Sequence, residues 1–156
     1  MVVDIKIRTK VQVDGAFLDV HGSIPAIGSA IQGPVGGPRI VLTRPTFDGY
    51  QTLPARRFAS FIGKYTIGWR CLAISLDYTP ILHIWGRRTG WLTPTVNYEE
   101  FVENFGVFVP RIGLYLPAVF VISKSDRLLY SEICIGLDGR LDFDSAQKAV
   151  MDHLEQ

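Results

Sequence analysis

Apolar and polar positions along this chain switch between two periods, and the switches mark its elements. Residues 6–13 (KIRTKVQV) and 16–20 (AFLDV) alternate as two short strands, joined at Asp14-Gly15, a strong hairpin-turn signal. An apolar strand over 39–43, built on Ile40, Val41 and Leu42, runs into a Pro/Thr/Asp/Gly turn. A helix is expected over 54–64, where Pro54 fits the first turn because its missing N–H costs nothing there. Phe58, Phe61 and Ile62 give that helix an apolar stripe to set against a sheet. Residues 69–76 (WRCLAISL) form the near-continuous apolar run of a buried parallel strand.

Thr79-Pro80 is a helix start, and 85–97 (WGRRTGWLTPTVN) reads as a long loop with two tryptophans and two arginines. Asn97-x-x-Glu100 then opens a helix over 98–105 in the manner of a capping box. Residues 117–123 (PAVFVIS) and 128–135 (LLYSEICI) form an apolar hairpin about the turn at 124–127. The last helix carries Asp144-x-x-Gln147 as its capping box and Ala146, Ala149, Val150 and Leu154 on one face. Between the first hairpin and the 39–43 strand, GPVGGPR (33–39) makes a tight, irregular connection.

Composition narrows the class. With 156 residues, 47% hydrophobic and 20% charged, the chain suits one domain with a sizeable core. A net charge of +1 favours no strongly acidic or basic partner, and no element carries a stripe of Lys and Arg, so nucleic acid is not expected. The start, MVVDIKIRTK, lacks the continuous apolar middle of a secretory signal, and the most apolar candidate span, 105–121, is broken by Pro110, Arg111 and Pro117. The expectation is a soluble cytoplasmic protein without a membrane partner. Cys71 and Cys134 sit in apolar strand-like runs without metal or CxxC spacing and read as structural thiols of a reducing compartment. His21, His83 and His153 show no ligand spacing, so neither a metal nor another cofactor is expected.

The chemistry-bearing stretch is 41–58, VLTRPTFDGYQTLPARRF. A strand that delivers its carboxyl end to a helix N-terminus gathers free N–H groups and a helix dipole where anions and thiolates are stabilised. This stretch resembles the active-site segment of the thiol peroxidases, the atypical two-cysteine branch of the peroxiredoxins. That segment reads roughly Pro-Ser-x-Asp-Thr-x-x-Cys, followed by a helix with Arg-Arg-Phe or Arg-Lys-Phe; Pro45, Thr46, Asp48, Arg56, Arg57 and Phe58 match. The Ser-Ile-Pro-x-x-Gly-Ser pattern at 23–29, Asp77 and Pro80, Phe105-Gly106-Val107, Ala118 to Val121, Tyr130 to Glu132 and the terminal helix extend the similarity over nearly the whole chain.

The reactive residues of that family do not match. Counted from Pro45, its threonine falls on Gly49 and its peroxidatic cysteine on Thr52; counted back from Arg56-Arg57-Phe58, the cysteine falls on Gln51. The resolving cysteine falls on Gly86 or a close neighbour, and the arginine that helps hold the peroxide falls on Pro117. Peroxide reduction needs a thiolate to attack the O–O bond, and neither a hydroxyl nor an amide replaces it.

The resemblance implies one thioredoxin-like α/β domain over 1–156, with an N-terminal hairpin over 1–22 and a core over 39–156. It implies three layers: a central, mostly parallel sheet with helices on both faces. It also implies a cis bond between Leu116 and Pro117, the place of the thioredoxin-fold cis-proline, and a homodimer through the loops. Trp69, Trp85, Trp91, Tyr50 and Tyr78 supply aromatic surface for that contact or for the core. The leading functional expectation is a thiol peroxidase-like protein without peroxidase activity, acting as a binding or regulatory module. One alternative is a thiol-dependent peroxidase using Cys71 or Cys134. Another is an anion or small-molecule binder at the helix start near Thr52, with Arg56, Arg57, Arg87 and Arg88 converging there.

Overall fold

The computed structural model describes residues 10–13, 16–19, 25–31, 36–49, 52–93, 105–134 and 140–154. The N-terminal alternation forms a hairpin in which β1 (Lys10–Val13) and β2 (Ala16–Asp19) run antiparallel, with Val13 opposite Ala16. β3 (Arg39–Thr43), α1 (Leu53–Gly63), β4 (Arg70–Ile74) and α2 (Thr79–Thr89) then alternate. Two very short strands that periodicity did not announce, β5 (Phe108–Val109) and β6 (Leu114–Tyr115), pair across the turn at 110–113. β7 (Ala118–Ile122), β8 (Leu128–Ile133) and α3 (Phe143–Leu154) follow.

The central sheet has the order β4-β3-β7-β8. β3 and β4 are parallel, with Thr43 beside Ile74; β3 and β7 are antiparallel, with Thr43 beside Ala118, and β7 and β8 are antiparallel. The expected mostly parallel sheet is therefore corrected to a mixed one. Connection length is one reason: α1 gives the β3–β4 step its crossover, whereas the short 123–127 turn between β7 and β8 permits only an antiparallel return.

Burial follows the strand alternation. Ile40, Leu42, Ala73, Val119 and Val121 face a cluster that α1, α2 and α3 share. Val41, Leu72, Ile74, Phe120 and Ile122 face the other way, where Ile31, Phe105, Val107 and Tyr115 cover them. All three described helices thus lie on one face; the helix expected over 98–105 lies outside the described residues apart from Phe105.

Helix details correct the periodicity. α1 buries Ala55, Phe58, Ala59 and Ile62, a repeat of three and four residues, while Phe61 turns outward to pack on Tyr65 with ring centroids 5.1 Å apart. The loop expected from Trp85 begins later, because α2 continues through Arg88 to Thr89. Gly90, at φ 77°, takes the left-handed cap, and its N–H donates to the Gly86 carbonyl at 2.8 Å. Arg87 and Arg88 fall in the last turn, where cations complement the helix dipole. α3 starts earlier than its expected box: Asp142 accepts from the Ser145 N–H at 3.1 Å and its hydroxyl at 2.6 Å. Those bonds hold the Asp142 carboxyl below its ordinary pKa. Glu132 in turn accepts the Asp142 N–H, and burial together with Glu132 pushes the nearby Tyr130 phenol up to about 12.

No peptide bond among the described residues is cis, so the Leu116–Pro117 bond is trans, which corrects the thioredoxin-fold expectation. Trans is the intrinsic preference of X–Pro bonds. In this arrangement the Leu116 carbonyl accepts the Thr43 hydroxyl at 2.7 Å, and the Pro117 carbonyl accepts the Cys134 N–H at 2.9 Å.

One anchor had no signal in the sequence. Arg39 is buried at the start of β3 and donates to Asp126 at 2.6 Å, to the Gly37 carbonyl at 2.6 Å and to the Ile31 carbonyl at 3.2 Å. Asp126, held at φ 62°, also accepts the Gly37 N–H at 2.9 Å. This pair closes the glycine-rich connection onto the 123–127 turn, and the guanidinium holds the Asp126 carboxyl below its ordinary pKa.

Candidate functional site

The carboxyl end of β3 feeds a loop that one carboxylate organises. Asp77, just past β4, accepts the Thr46 hydroxyl at 2.7 Å, the Phe47 N–H at 2.7 Å and the Ser75 hydroxyl at 2.6 Å. The Thr46 oxygen accepts the Asp48 N–H at 3.1 Å, and the Asp48 carboxylate accepts the Gly49 N–H at 3.0 Å. Gly49 turns the chain at φ 90°, a conformation that favours glycine. Thr52 is buried at the head of α1 and donates its hydroxyl to the Gly49 carbonyl at 2.7 Å.

Beside this loop lies a cavity of about 340 Å³. Phe47, Asp48, Gly49 and Thr52 line it from the loop and the head of α1. Leu53 and Arg56 come from α1, and Ile81, Ile84, Trp85 and Arg88 from α2. Phe47 packs on Trp85 with ring centroids 4.5 Å apart. No side chain caps α1, its first turn holds no acidic residue, and Pro54 contributes no N–H. The remaining first-turn N–H groups and the positive end of the dipole therefore lie beside the cavity.

The expected residues divide. Asp48, Gly49 and Thr52 line the cavity, and Pro45 is part of the loop behind it. Of the four arginines, Arg56 and Arg88 reach it, whereas Arg57 and Arg87 are exposed outside its lining. Gly86 also lies outside the lining; a Cβ there would meet the Trp91 carbonyl at 3.3 Å, so it serves close packing. Pro117 is buried at the start of β7, and Gln51 and Tyr50 lie outside the described residues. Trp85 and Trp91 belong to the core, Trp91 donating its indole N–H to the Ala59 carbonyl at 3.0 Å. Tyr78 is 84% exposed. Sequence reasoning brought Arg88 to this site but missed Ile81, Ile84 and Trp85, although the four recur at three- and four-residue spacing on one helix face.

Neither cysteine lines this cavity. Cys71 is half-buried near the opposite end of the sheet, beside Ile40 at the start of β3 rather than beside Thr43 at its carboxyl end. It lines a separate open depression with Lys64, Arg70 and Trp91. Burial pushes its thiol up, against a 3.5 Å contact with the Thr66 hydroxyl. Cys134 follows β8 rather than sitting within it, at the same sheet end as Thr43. Burial and then Glu132 push its thiol up, with Arg44 opposing. Arg44 is itself buried, donates to the Thr46 carbonyl at 3.1 Å, and has its pKa lowered by burial. Both cysteines thus favour the protonated thiol, the unreactive form.

Among the described residues no group of three or more His, Cys, Asp or Glu side chains is placed to hold a metal ion, and no helix is long and apolar enough to cross a membrane.

The fold is that of the thioredoxin-like peroxiredoxins. A thiol peroxidase from Chromobacterium violaceum superposes with a TM-score of 0.71 at 18% identity, over 97% of this chain and 100% of that one. A peroxiredoxin-like protein from Aquifex aeolicus gives 0.76 at 15% identity, over 95% and 99% of the two chains. AhpC of Mycobacterium tuberculosis gives 0.60 at 16% identity, over 85% and 94%. No family sequence profile and no curated protein sequence matches the chain.

Proposed function

We propose that this protein is a peroxiredoxin-fold module without peroxidase chemistry, which binds a ligand or partner at the corner where the thiol peroxidases hold their reactive sulfur. The observation that carries the reading is the coexistence of a loop clamped by Asp77 at Thr46 and Phe47 with a sequence that has no sulfur at position 51 or 52, at the head of α1. The remaining sulfurs support it, because burial stabilises both as thiols and one lies across the sheet. A peroxide-consumption assay with thioredoxin or dithiothreitol as reductant tests it. The expected result is no turnover above the protein-free rate; turnover abolished by Cys71→Ser or Cys134→Ser would establish the enzyme reading instead.

The same reading includes a homodimer through the loops that flank the cavity. Tyr78, Leu76 and Ile84 support it as exposed apolar side chains on and before α2. Sedimentation velocity is expected to give about twice the chain mass of 17.4 kDa. A single species at the chain mass across micromolar concentrations rules the dimer out.

A further inference from the structure

We propose that the cavity at the head of α1 takes a small amphipathic carboxylate, its apolar body against Trp85 and its charge between Arg56 and Arg88. This inference rests on the binding reading above and names the ligand class. Three independent features select it: size with apolar walls, net charge, and an unpaired donor.

At about 340 Å³ the space lies at the small end of pockets that hold organic ligands, roughly 300–1,000 Å³. Half of the described lining is large and apolar: Phe47, Leu53, Ile81, Ile84 and Trp85. A bare inorganic anion would leave these walls in water, so the occupant has an apolar body. Arg56 and Arg88 outweigh Asp48 by one positive charge, and the uncapped head of α1 adds a partial one. A monoanion balances that set, whereas a polyphosphate would bring Asp48 against several negative charges. Guanidinium groups match a carboxylate by paired hydrogen bonds.

The third feature is Trp85. It lines the cavity, is 3% exposed, and its indole Nε1–H has no acceptor among the described residues. Trp91, the other buried tryptophan, has its indole bond satisfied by the Ala59 carbonyl. That N–H is closed off from the cavity as it stands, so a small turn of the ring on binding brings it to an oxygen of the ligand, which satisfies a donor that is costly to leave unpaired in a folded protein.

Octanoate, 1-octanol and inorganic phosphate separate the contributions, titrated into the whole protein and followed by calorimetry and by the indole N–H resonance of Trp85. Octanoate is expected to bind about tenfold more tightly than 1-octanol, the margin of a charge-assisted hydrogen bond, and to shift the Trp85 resonance. Phosphate is expected to leave that resonance in place. The double variant Arg56→Gln/Arg88→Gln is expected to bind octanoate no better than 1-octanol while its affinity for 1-octanol is unchanged. Equal binding of octanoate and 1-octanol to the unaltered protein overturns the proposal, as does an octanoate titration that leaves the Trp85 resonance unmoved. Peroxide consumption reports on the sulfurs and the octanoate titration on the cavity, so either reading can fail while the other stands.

Discussion

Replacing Thr52 with cysteine is expected to produce a thiol that alkylates at pH 7 about tenfold faster than free cysteine, which corresponds to a pKa lowered by about one unit. Thr52 lines the cavity at the head of α1, where no side chain caps the helix and Arg56 stands one turn on. Both features favour a thiolate. The native thiols have the opposite bias, since burial raises each. The measurement is the pH dependence of iodoacetamide reaction for Thr52→Cys in a Cys71→Ser/Cys134→Ser background. A midpoint at or above that of free cysteine, about 8.5, would show that the site no longer activates sulfur. Sustained thioredoxin-linked turnover is not expected from this variant, because Gly86 offers no second sulfur.

The second large effect belongs to Asp77. Its carboxylate accepts three donors, the Thr46 and Ser75 hydroxyls and the Phe47 N–H, at 2.6–2.7 Å. Asp77→Ala leaves all three without their acceptor in a partly buried loop, at a cost of about 2–3 kcal/mol after allowing for partial exposure. Asp77→Asn keeps one acceptor oxygen and is expected to cost about half as much. Because Phe47 also packs on Trp85, loosening its backbone opens the cavity wall, and octanoate binding is expected to weaken together with stability. Urea unfolding of the two variants reads the first effect and calorimetry the second. An unchanged urea midpoint for Asp77→Ala would mean that the loop holds its shape without the clamp.

Much of this was legible along the chain. The antiparallel pairing of β1 with β2, the fully buried β3, the Pro54 entry to α1 and the return from β7 to β8 all follow from turn signals and apolar runs. The absence of sulfur at positions 51 and 52 is a sequence fact, and the resemblance of Thr46 and Asp48 to the thiol peroxidase active-site segment, and of Asp77 to a later one, was also read from the chain. Periodicity misplaced Phe61, which lies just beyond the edge of the buried stripe. It also ended α2 early, because the Gly86-Arg87-Arg88 run looks like a loop until Gly90 supplies the left-handed cap. The Leu116–Pro117 bond was misjudged because fold analogy was set against the ordinary trans preference.

The sequence alone determined the longer elements and which reactive groups are missing, since both depend on residue type and on neighbours a few positions away, whereas the two-residue strands β5 and β6 left no periodic signal. Tertiary structure decided what those elements surround. It set Ile81, Ile84, Trp85 and Arg88 opposite Leu53 and Arg56, gave Arg39 its distant partner Asp126, and placed Cys71 and Cys134 at opposite ends of the sheet. Strand direction, side-chain convergence and an unpaired indole donor depend on packing between segments far apart in the chain, which no local pattern encodes.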